Sequence, residues 1–154
     1  MSVFFGTFEN KIDRKGRVSV PATFRAAVTC PRIPGIIIFP SWRVPGAYEG
    51  CGGDFIEKLS RSVEHMDLFS DEQDEVSDMI FGASIQLMWD SEGRVVLPER
   101  VMSRAGLTDR VAFVGRGPMF QLWEPDRFYA REEERLQRAR ERKLTLRLQP
   151  GGES

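Results

Sequence analysis

The sequence predicts a mainly β fold with helices (an α+β protein), in which two internal repeats build one shared barrel-like core. Asp13-Arg14-Lys15-Gly16-Arg17-Val18-Ser19-Val20-Pro21 recurs as Asp90-Ser91-Glu92-Gly93-Arg94-Val95-Val96-Leu97-Pro98, at a constant offset of 77 residues. Apolar residues alternate on both sides of each copy, which is the period of a β-strand. A unit of roughly 45 residues is marginal alone, so we expect the repeats to pair their strands around a pseudo-twofold axis.

Each copy of the motif predicts a strand, a tight turn, a second strand and a short helix. An Asp can accept hydrogen bonds from the backbone two residues on, and a Gly can adopt the positive φ of a tight hairpin. The proline at the end of each copy stops the strand and suits the first turn of a helix. The residues predicted to shape the turns are Asp13, Gly16, Asp90 and Gly93.

The first repeat and the segment after it contain several further predicted elements. The pattern indicates an opening strand, a short helix and a fully apolar buried strand, at residues 4–12, 22–28 and 36–39. Residues 40–53 hold two Pro and four Gly, and they are predicted to form an extended loop. A helix with an acidic face is predicted at residues 54–69 and a second helix at 71–80, with Ser70 as the N-cap of the second.

The second repeat follows the same order. Strands are predicted at 83–89, 94–97, 110–115 and 120–123, a helix at 99–105 that ends at Gly106, and a charged helix at 126–142. Residues 148–154 are polar and rich in Gly, and we expect a frayed end. The chain therefore divides into a first repeat (7–54), a helical linker (55–82), a second repeat (84–127), and a C-terminal helix with a flexible tail (128–154).

The formal net charge of −1 conceals an uneven distribution along the chain. Residues 1–32 carry six basic and two acidic residues, whereas residues 54–78 carry two basic and nine acidic ones. A local balance of +4 at one end and −7 in the middle would steer a polyanion to one face of the protein. The acidic segment is also typical of a solvated helix surface. The basic charge is concentrated at the first turn, in Arg14, Lys15 and Arg17.

The Arg that follows the Gly in each turn, Arg17 or Arg94, has two interpretations. It could be a surface residue that pairs with the Asp of its own turn. Its occurrence at the same place in both turns favours a shared purpose, and we therefore include Arg94 among the candidate contact residues. The first turn carries more positive charge than the second, where Ser91 and Glu92 replace Arg14 and Lys15.

Several classes of protein are not supported by the sequence. No apolar run has the ~18 residues of a membrane helix, and the N-terminus does not have the pattern of a signal peptide. We expect Cys30 and Cys51 to be reduced thiols, the second more exposed, with no disulfide or metal site. His65 lacks a nearby nucleophile motif, and residues 115–118 are not a phosphate loop. We therefore expect no enzyme activity, no cofactor, no metal and no small-molecule substrate.

The two turns and their flanks closely resemble the MraZ family, bacterial proteins with two SpoVT-AbrB domains. The resemblance runs from about Phe4 to Arg142 and includes both D-x-x-G-R turns, Pro21 and Pro98. It also includes Ala105-Gly106-Leu107-Thr108 and Leu122-Trp123. In two places this chain departs from the family pattern. Phe5 stands before Gly6 where the family often has an Arg, and Ser91-Glu92 stand where the first turn has Arg14-Lys15.

The resemblance implies an AbrB-type swapped-hairpin β-barrel and homo-oligomeric rings, often octamers. It also implies a cytoplasmic, nucleoid-associated transcription factor. Such a protein binds repeated boxes of double-stranded DNA upstream of the division and cell-wall gene cluster, which it usually represses. The implied DNA-contacting residues are Arg14, Lys15 and Arg17. The sequence leaves open whether the second repeat also contacts DNA.

The alternative function is an oligomeric scaffold or partner-binding module that does not bind DNA. Such a scaffold could use the same paired core. It would have no need for three cations together on the first turn, and this feature favours the DNA-binding hypothesis over the scaffold.

Overall fold

The computed structural model describes residues 3–150, and its strands form one large and one small antiparallel sheet. The strands are β1 Thr7–Lys11, β2 Arg17–Ser19, β3 Ile36–Pro40, β4 Tyr48–Cys51, β5 Ile85–Leu87, β6 Arg94–Val96, β7 Arg110–Gly115 and β8 Phe120–Trp123. The six-stranded sheet has the order β1-β7-β8-β4-β3-β5, and β2 and β6 form a separate ribbon of two strands. The fold is thus mixed α/β, with mainly antiparallel strands.

The helices lie between the strands and after the last one. They are α1 Ala22–Ala27, α2 Gly53–Glu64, α3 Asp71–Ser77, α4 Glu99–Ala105 and α5 Pro125–Arg142, and a π-helical turn, Asp78–Gly82, continues α3. Gly106 ends α4 in the left-handed conformation, as the sequence predicts, because a residue without Cβ adopts this conformation at little cost. In residues 3–150, every helix is too short or too polar to cross a bilayer.

The two repeats interleave with a symmetry that the strand pairings make visible. β1 of the first repeat pairs with β7 of the second, and β5 of the second pairs with β3 of the first. β2 pairs with β6, and β4 pairs with β8, so that equivalent strands of the two repeats meet each other. Val18 faces Val95 at the centre of the ribbon. The two halves therefore have like folds and share their hydrogen bonding.

The main core lies between the ribbon and the six-stranded sheet. Val18 and Val95 point inward from the ribbon and are 1% exposed. Phe24 from α1 contacts Phe4 and Phe120 with ring centroids 5.2 Å apart in both pairs. Each such buried aromatic side chain stabilises the fold by about 1.5–3 kcal/mol. Residues of both repeats contribute to this one core, which ties the halves together.

The structure corrects the sequence-based prediction between residues 40 and 53. β4 lies there, hydrogen-bonded to both β3 and β8, where an extended loop was expected. The strand escaped prediction because all four of its residues are buried, so it has no alternation, and because Gly50 normally weakens a strand. Here the Gly is required, since a Cβ at this position would overlap the ring of Phe120. The expectation that Cys51 is more exposed than Cys30 was wrong, because Cys51 lies in β4 and is 0% exposed against 5% for Cys30.

Smaller differences concern the ends of helices. α2 ends at Glu64, five residues before the expected end, and the helix predicted for residues 71–80 changes to a π-helical turn after Ser77. Ser70 caps α3 as expected, since its hydroxyl accepts a hydrogen bond from the backbone N–H of Gln73 at 3.1 Å. Residues 144–150 have no regular secondary structure and are exposed, while residues 151–154 of the expected frayed end lie outside the described residues.

Candidate nucleic-acid interface

The first turn is organised by the carboxylate of Asp13. Its Oδ1 accepts hydrogen bonds from the backbone N–H groups of Lys15 and Arg17, both at 2.9 Å. Its backbone carbonyl accepts from the N–H of Gly16 at 3.0 Å, and Gly16 has a φ of +81°. These bonds close the turn locally, so the chain between the two strands has a single defined shape.

The second turn repeats this geometry. Oδ1 of Asp90 accepts from the backbone N–H groups of Glu92 at 2.9 Å and Arg94 at 3.0 Å. Gly93 has a φ of +79°, and its N–H donates to the Asp90 carbonyl at 3.0 Å. Asp13, Gly16, Asp90 and Gly93 thus make the turn bonds expected of them.

The turn hydrogen bonds favour the ionised form of both aspartates. The backbone N–H of Arg17 is the main cause that lowers the pKa of Asp13, and the backbone N–H of Arg94 does the same for Asp90. Hydrogen bonds from the Arg side chains lower the two pKa values further, and partial desolvation opposes the shift. Both carboxylates are therefore charged at neutral pH and able to hold an arginine.

Each turn Asp pairs with the Arg four residues later, as one interpretation of the sequence anticipated. Nε of Arg17 lies 2.7 Å from Oδ2 of Asp13, and Nε of Arg94 lies 3.1 Å from Oδ2 of Asp90. The terminal guanidinium nitrogens of Arg17 and Arg94 differ in their contacts. Arg94 also contacts the carboxylate of Glu92 at 3.4 Å, whereas Asp13 is the ion-pair partner of Arg17 within residues 3–150. The terminal nitrogens of Arg17 thus remain available to an external acceptor.

The two turns have opposite net charge. Arg14 and Lys15 are exposed, and within the described part of the chain their side chains have no ion-pair partner. Residues 13–17 carry three cations and one acid, whereas residues 90–94 carry one cation and two acids. An anionic ligand is therefore attracted to the first turn and much less to the second.

The ribbon of β2 and β6 places both arginines on one outward face. Val18 and Val95 point into the core, so their neighbours Arg17, Ser19, Arg94 and Val96 point outward. Arg17 lies opposite Val96, and Arg94 lies opposite Ser19. The turns lie at opposite ends of this ribbon, on the order of 13 Å apart for four residues of strand at about 3.3 Å each. Arg17 and Arg94 thus share one surface, with the exposed Arg14 and Lys15 at one end of the ribbon.

Arg25 lies beside the second turn and is not among the contact residues predicted from the sequence. Its Nε donates to the carbonyl of Val20 at 3.1 Å, and its guanidinium lies where a Cβ on Gly93 would be. The residue 77 positions later is Met102, so the charge has no counterpart in the second repeat.

The structure brings three potential metal ligands together elsewhere, although the sequence predicts no metal site. Ligand atoms of Cys30, Asp54 and Glu57 lie within 4.8 Å of one another. Arg32 donates to Glu57 at 2.6 Å and thereby neutralises one of the three groups. This ion pair lowers the pKa of Glu57 and stabilises the carboxylate without a metal ion.

The fold and this surface define a duplicated protein of interleaved antiparallel strands that presents a cationic turn. Residues 79–148 match a family model described as "MraZ protein, putative antitoxin-like". The chain is 48% identical over 130 residues to the transcriptional regulator MraZ of Parvibaculum lavamentivorans, which covers 84% of this chain and 81% of that protein.

Two Rickettsia proteins with the same name extend the match to nearly the whole chain. The protein of Rickettsia bellii is 45% identical over 150 residues and that of Rickettsia akari 40% identical over 147, covering in both cases 96% of this chain and 98% of the relative. The chain belongs to the MraZ family. The relatives are named transcriptional regulators, and this name points to regulation rather than catalysis.

Proposed function

We propose that this protein is a sequence-specific DNA-binding transcriptional regulator. Its proposed target is the division and cell-wall gene cluster, which it represses. It binds repeated promoter boxes through the basic turn of the first repeat, as a ring-like homo-oligomer such as an octamer, in the cytoplasm and on the nucleoid. The observation that carries the proposal is the first turn itself. Arg14 and Lys15 are exposed and unpaired in residues 3–150, on a loop that Asp13 holds in one shape.

The proposed roles follow from the geometry of each side chain. Arg14 and Lys15 contact phosphates, which position the protein on the duplex but do not read sequence. Arg17 is held by Asp13 through Nε, and its terminal nitrogens reach the O6 and N7 acceptors of a guanine in the major groove. Because the turn is ordered before binding, little conformational entropy is lost when it enters the groove.

The proposal extends to the domain organisation. We assign the interleaved pairing of β1 with β7 and of β5 with β3 to an AbrB-type barrel, in which the repeats exchange their hairpins. Residues 7–54 and 84–127 then form the two domains, joined by the helical linker 55–82, and residues 128–154 follow as helix and tail. The pairing of equivalent strands in both directions supports this assignment.

Oligomerisation is part of the proposed mechanism because one turn supplies few contacts. A single copy presents three cations at its first turn and should bind DNA weakly. Several turns on one ring bind repeated boxes together, and each box after the first is bound at a high effective concentration. The affinity of the assembly thus exceeds that of one copy without any new type of contact.

The central experiment measures fluorescence anisotropy with the protein's own upstream DNA and with a scrambled duplex. Arg17→Ala should reduce the preference for the natural boxes by about 10- to 100-fold, because one bidentate base contact is worth about 1–3 kcal/mol of discrimination. Circular dichroism of the variant should be unchanged. Normal preference for the boxes in Arg17→Ala would contradict the assignment, and absence of any DNA binding by the wild type would favour a scaffold.

A salt series separates the phosphate contacts from the base contact. Lys15→Ala should weaken binding to both duplexes equally and should reduce the slope of log affinity against log salt by about 0.9.

Arg94→Ala is the matched comparison for Arg17→Ala, since Arg94 occupies the same place in the second turn and is already paired with Asp90 and Glu92. A loss of preference in Arg94→Ala as large as in Arg17→Ala would show that both repeats contact DNA.

A further inference from the structure

A cavity of about 350 Å³ opens between α5 and the outer face of the six-stranded sheet. Its lining combines apolar side chains with three arginines and one carboxylate, Glu132. The apolar lining includes Val114, Trp123, Phe128, Leu136 and Ala139, and the arginines are Arg116, Arg131 and Arg135. The cavity has room for an aromatic side chain, since its volume is about ten times the ~30 Å³ share of one water molecule.

The arginines around this cavity carry more positive charge than the chain itself neutralises. Nε of Arg131 is buried and has no hydrogen-bond partner within the described part of the chain. Partial burial and the nearby Arg131 and Arg116 lower the pKa of Arg135. Glu132 also lines the cavity, and the buried Glu49 nearby already pairs with Arg43 and accepts from Gln121. Three arginines therefore face a single carboxylate in the lining, and the cavity keeps both an excess of positive charge and room for an apolar group.

The same chain carries a protrusion of complementary character at the end of α2. Leu68 and Phe69 are 72% and 83% exposed, although both are large and apolar. Phe69 has a φ of +63°, which is unfavourable for a residue with a bulky side chain. Its N–H donates to Oε1 of Gln73 at 3.0 Å, a bond that supports this conformation. Backbone strain of this kind, at a residue whose side chain contacts solvent, indicates a role outside the core of its own chain.

The charges beside the protrusion also match the cavity. Asp67, Asp71 and Glu72 flank Leu68 and Phe69, within the segment of residues 54–78 whose net charge is −7. An apolar tip with acids on both sides corresponds to an apolar cavity with arginines around it. The tip does not fill the cavity of its own chain, since Leu68 and Phe69 are exposed there.

We propose that the Leu68–Phe69 tip of one copy inserts into the arginine-rimmed cavity of a second copy. The contact is heterologous, because two different surfaces meet. An open row of copies joined in this way has a free tip at one end and a free cavity at the other. Such a contact closes into a ring when the rotation between neighbours allows it. This inference rests on the proposed homo-oligomer and names the surfaces that build it.

The first experiment determines the mass in solution by light scattering after size exclusion. Phe69→Ser and Arg135→Glu each remove one side of the contact, and each should lower the mass to that of a smaller species. The matched controls are Leu146→Ser, at a residue that is 89% exposed outside the contact, and Arg140→Glu on the same helix as Arg135. Both controls should retain the wild-type mass.

Mixing the two variants tests the direction of the contact. A Phe69→Ser chain retains its cavity and an Arg135→Glu chain retains its tip, so an equimolar mixture should form heterodimers and no larger ring. Leu68→Cys and Leu136→Cys give a covalent version of the test under mild oxidation. A mixture of these two variants should form a disulfide-linked heterodimer in preference to either homodimer.

The outcomes distinguish this inference from the proposed function. An oligomeric wild type whose mass is unchanged in Phe69→Ser and in Arg135→Glu would overturn the contact but leave the DNA-binding proposal intact. A monomeric wild type would overturn the ring and the contact together, whatever Arg17→Ala does to DNA binding. Octanoate could instead stabilise the wild type against thermal unfolding. If Arg135→Glu lost this stabilisation but kept the wild-type mass, the cavity would be a small-anion site and not a contact between copies.

Discussion

Glu49 and Gln121 face each other across the centre of the six-stranded sheet, where Nε2 of Gln121 lies 3.3 and 3.2 Å from the two carboxylate oxygens of Glu49. They occupy equivalent places in β4 and β8, the strands at which the two repeats meet. Both are buried, and the network continues from Oε1 of Gln121 to Nε1 of Trp123 at 2.8 Å. Where β4 of the first repeat meets β8 of the second, the side chains on the outer face of the sheet are thus polar.

Replacement of Gln121 should destabilise the protein strongly. Gln121→Leu leaves the Glu49 carboxylate without its amide donor and Trp123 Nε1 without its acceptor, both in buried positions. We expect the free energy of unfolding to fall by about 2–4 kcal/mol, since each unsatisfied buried group costs about 1–3 kcal/mol. Urea unfolding at fixed protein concentration measures the change.

The control for this prediction is Gln137→Leu, on the exposed surface of α5, which should change the free energy of unfolding by less than about 0.5 kcal/mol. Equal stability of Gln121→Leu and the wild type would show that the buried network contributes nothing to holding the repeats together.

Gly16→Ala should be more destabilising than Gly106→Ala, although both glycines have a positive φ. The conformation alone costs a residue with Cβ about 1–2 kcal/mol. A Cβ on Gly16 would also lie 3.0 Å from the backbone carbonyl oxygen of Leu97, whereas a Cβ on Gly106 would meet no atom of residues 3–150 within 4 Å beyond its chain neighbours and its own helix backbone. The difference in thermal stability between the two variants measures the destabilisation caused by this close contact. Equal losses of stability would contradict the prediction.

The aspartates of the turns should make the protein less stable in acid. Their pKa values are lowered in the folded state, so their stabilisation is complete above the ordinary Asp pKa of 3.8 and is lost as the pH falls through the folded values. Unfolding measured between about pH 2 and pH 5 should show a smaller pH dependence in Asp13→Asn than in the wild type. The double variant with Asp90→Asn should show a smaller one still.

Carboxyl NMR titration tests the same prediction directly. The resonances of Asp13 and Asp90 should shift with midpoints below 3.8, the value of an unperturbed aspartate. A midpoint for Asp13 at or above that value would mean that the turn hydrogen bonds are not present in solution.

Cys51 should be unreactive in the folded protein. Its burial in β4 raises the pKa of the thiol to about 12, so the reactive thiolate is scarce at pH 8. In a Cys30→Ser background, native protein should react with a maleimide far more slowly than urea-unfolded protein, in which the thiol has its ordinary pKa and full access. Reaction at the same rate in both states would show that Cys51 is accessible and would contradict its burial in β4.

The local structure could be derived from the sequence because it depends on neighbours along the chain. The turn at Asp13 and Gly16 is closed by bonds within five residues, and its second copy at Asp90 and Gly93 revealed the duplication. Gly106 ends its helix for a similarly local reason. The charge of the first turn also follows directly from its residues, so the candidate interface could be predicted from the sequence.

Only the tertiary structure decided which strands pair and which residues are buried. β4 forms because β3 and β8 supply its hydrogen bonds, and its own sequence, with Glu49 and Gly50 inside it, gives no sign of a buried strand. The role of Arg25 and the arginines around Trp123 likewise depend on residues far away in the chain. The sequence by itself determined the turns and their charge, because those depend on short-range bonds. Folding decided the shared core and the cavity, because their partners lie in different parts of the chain.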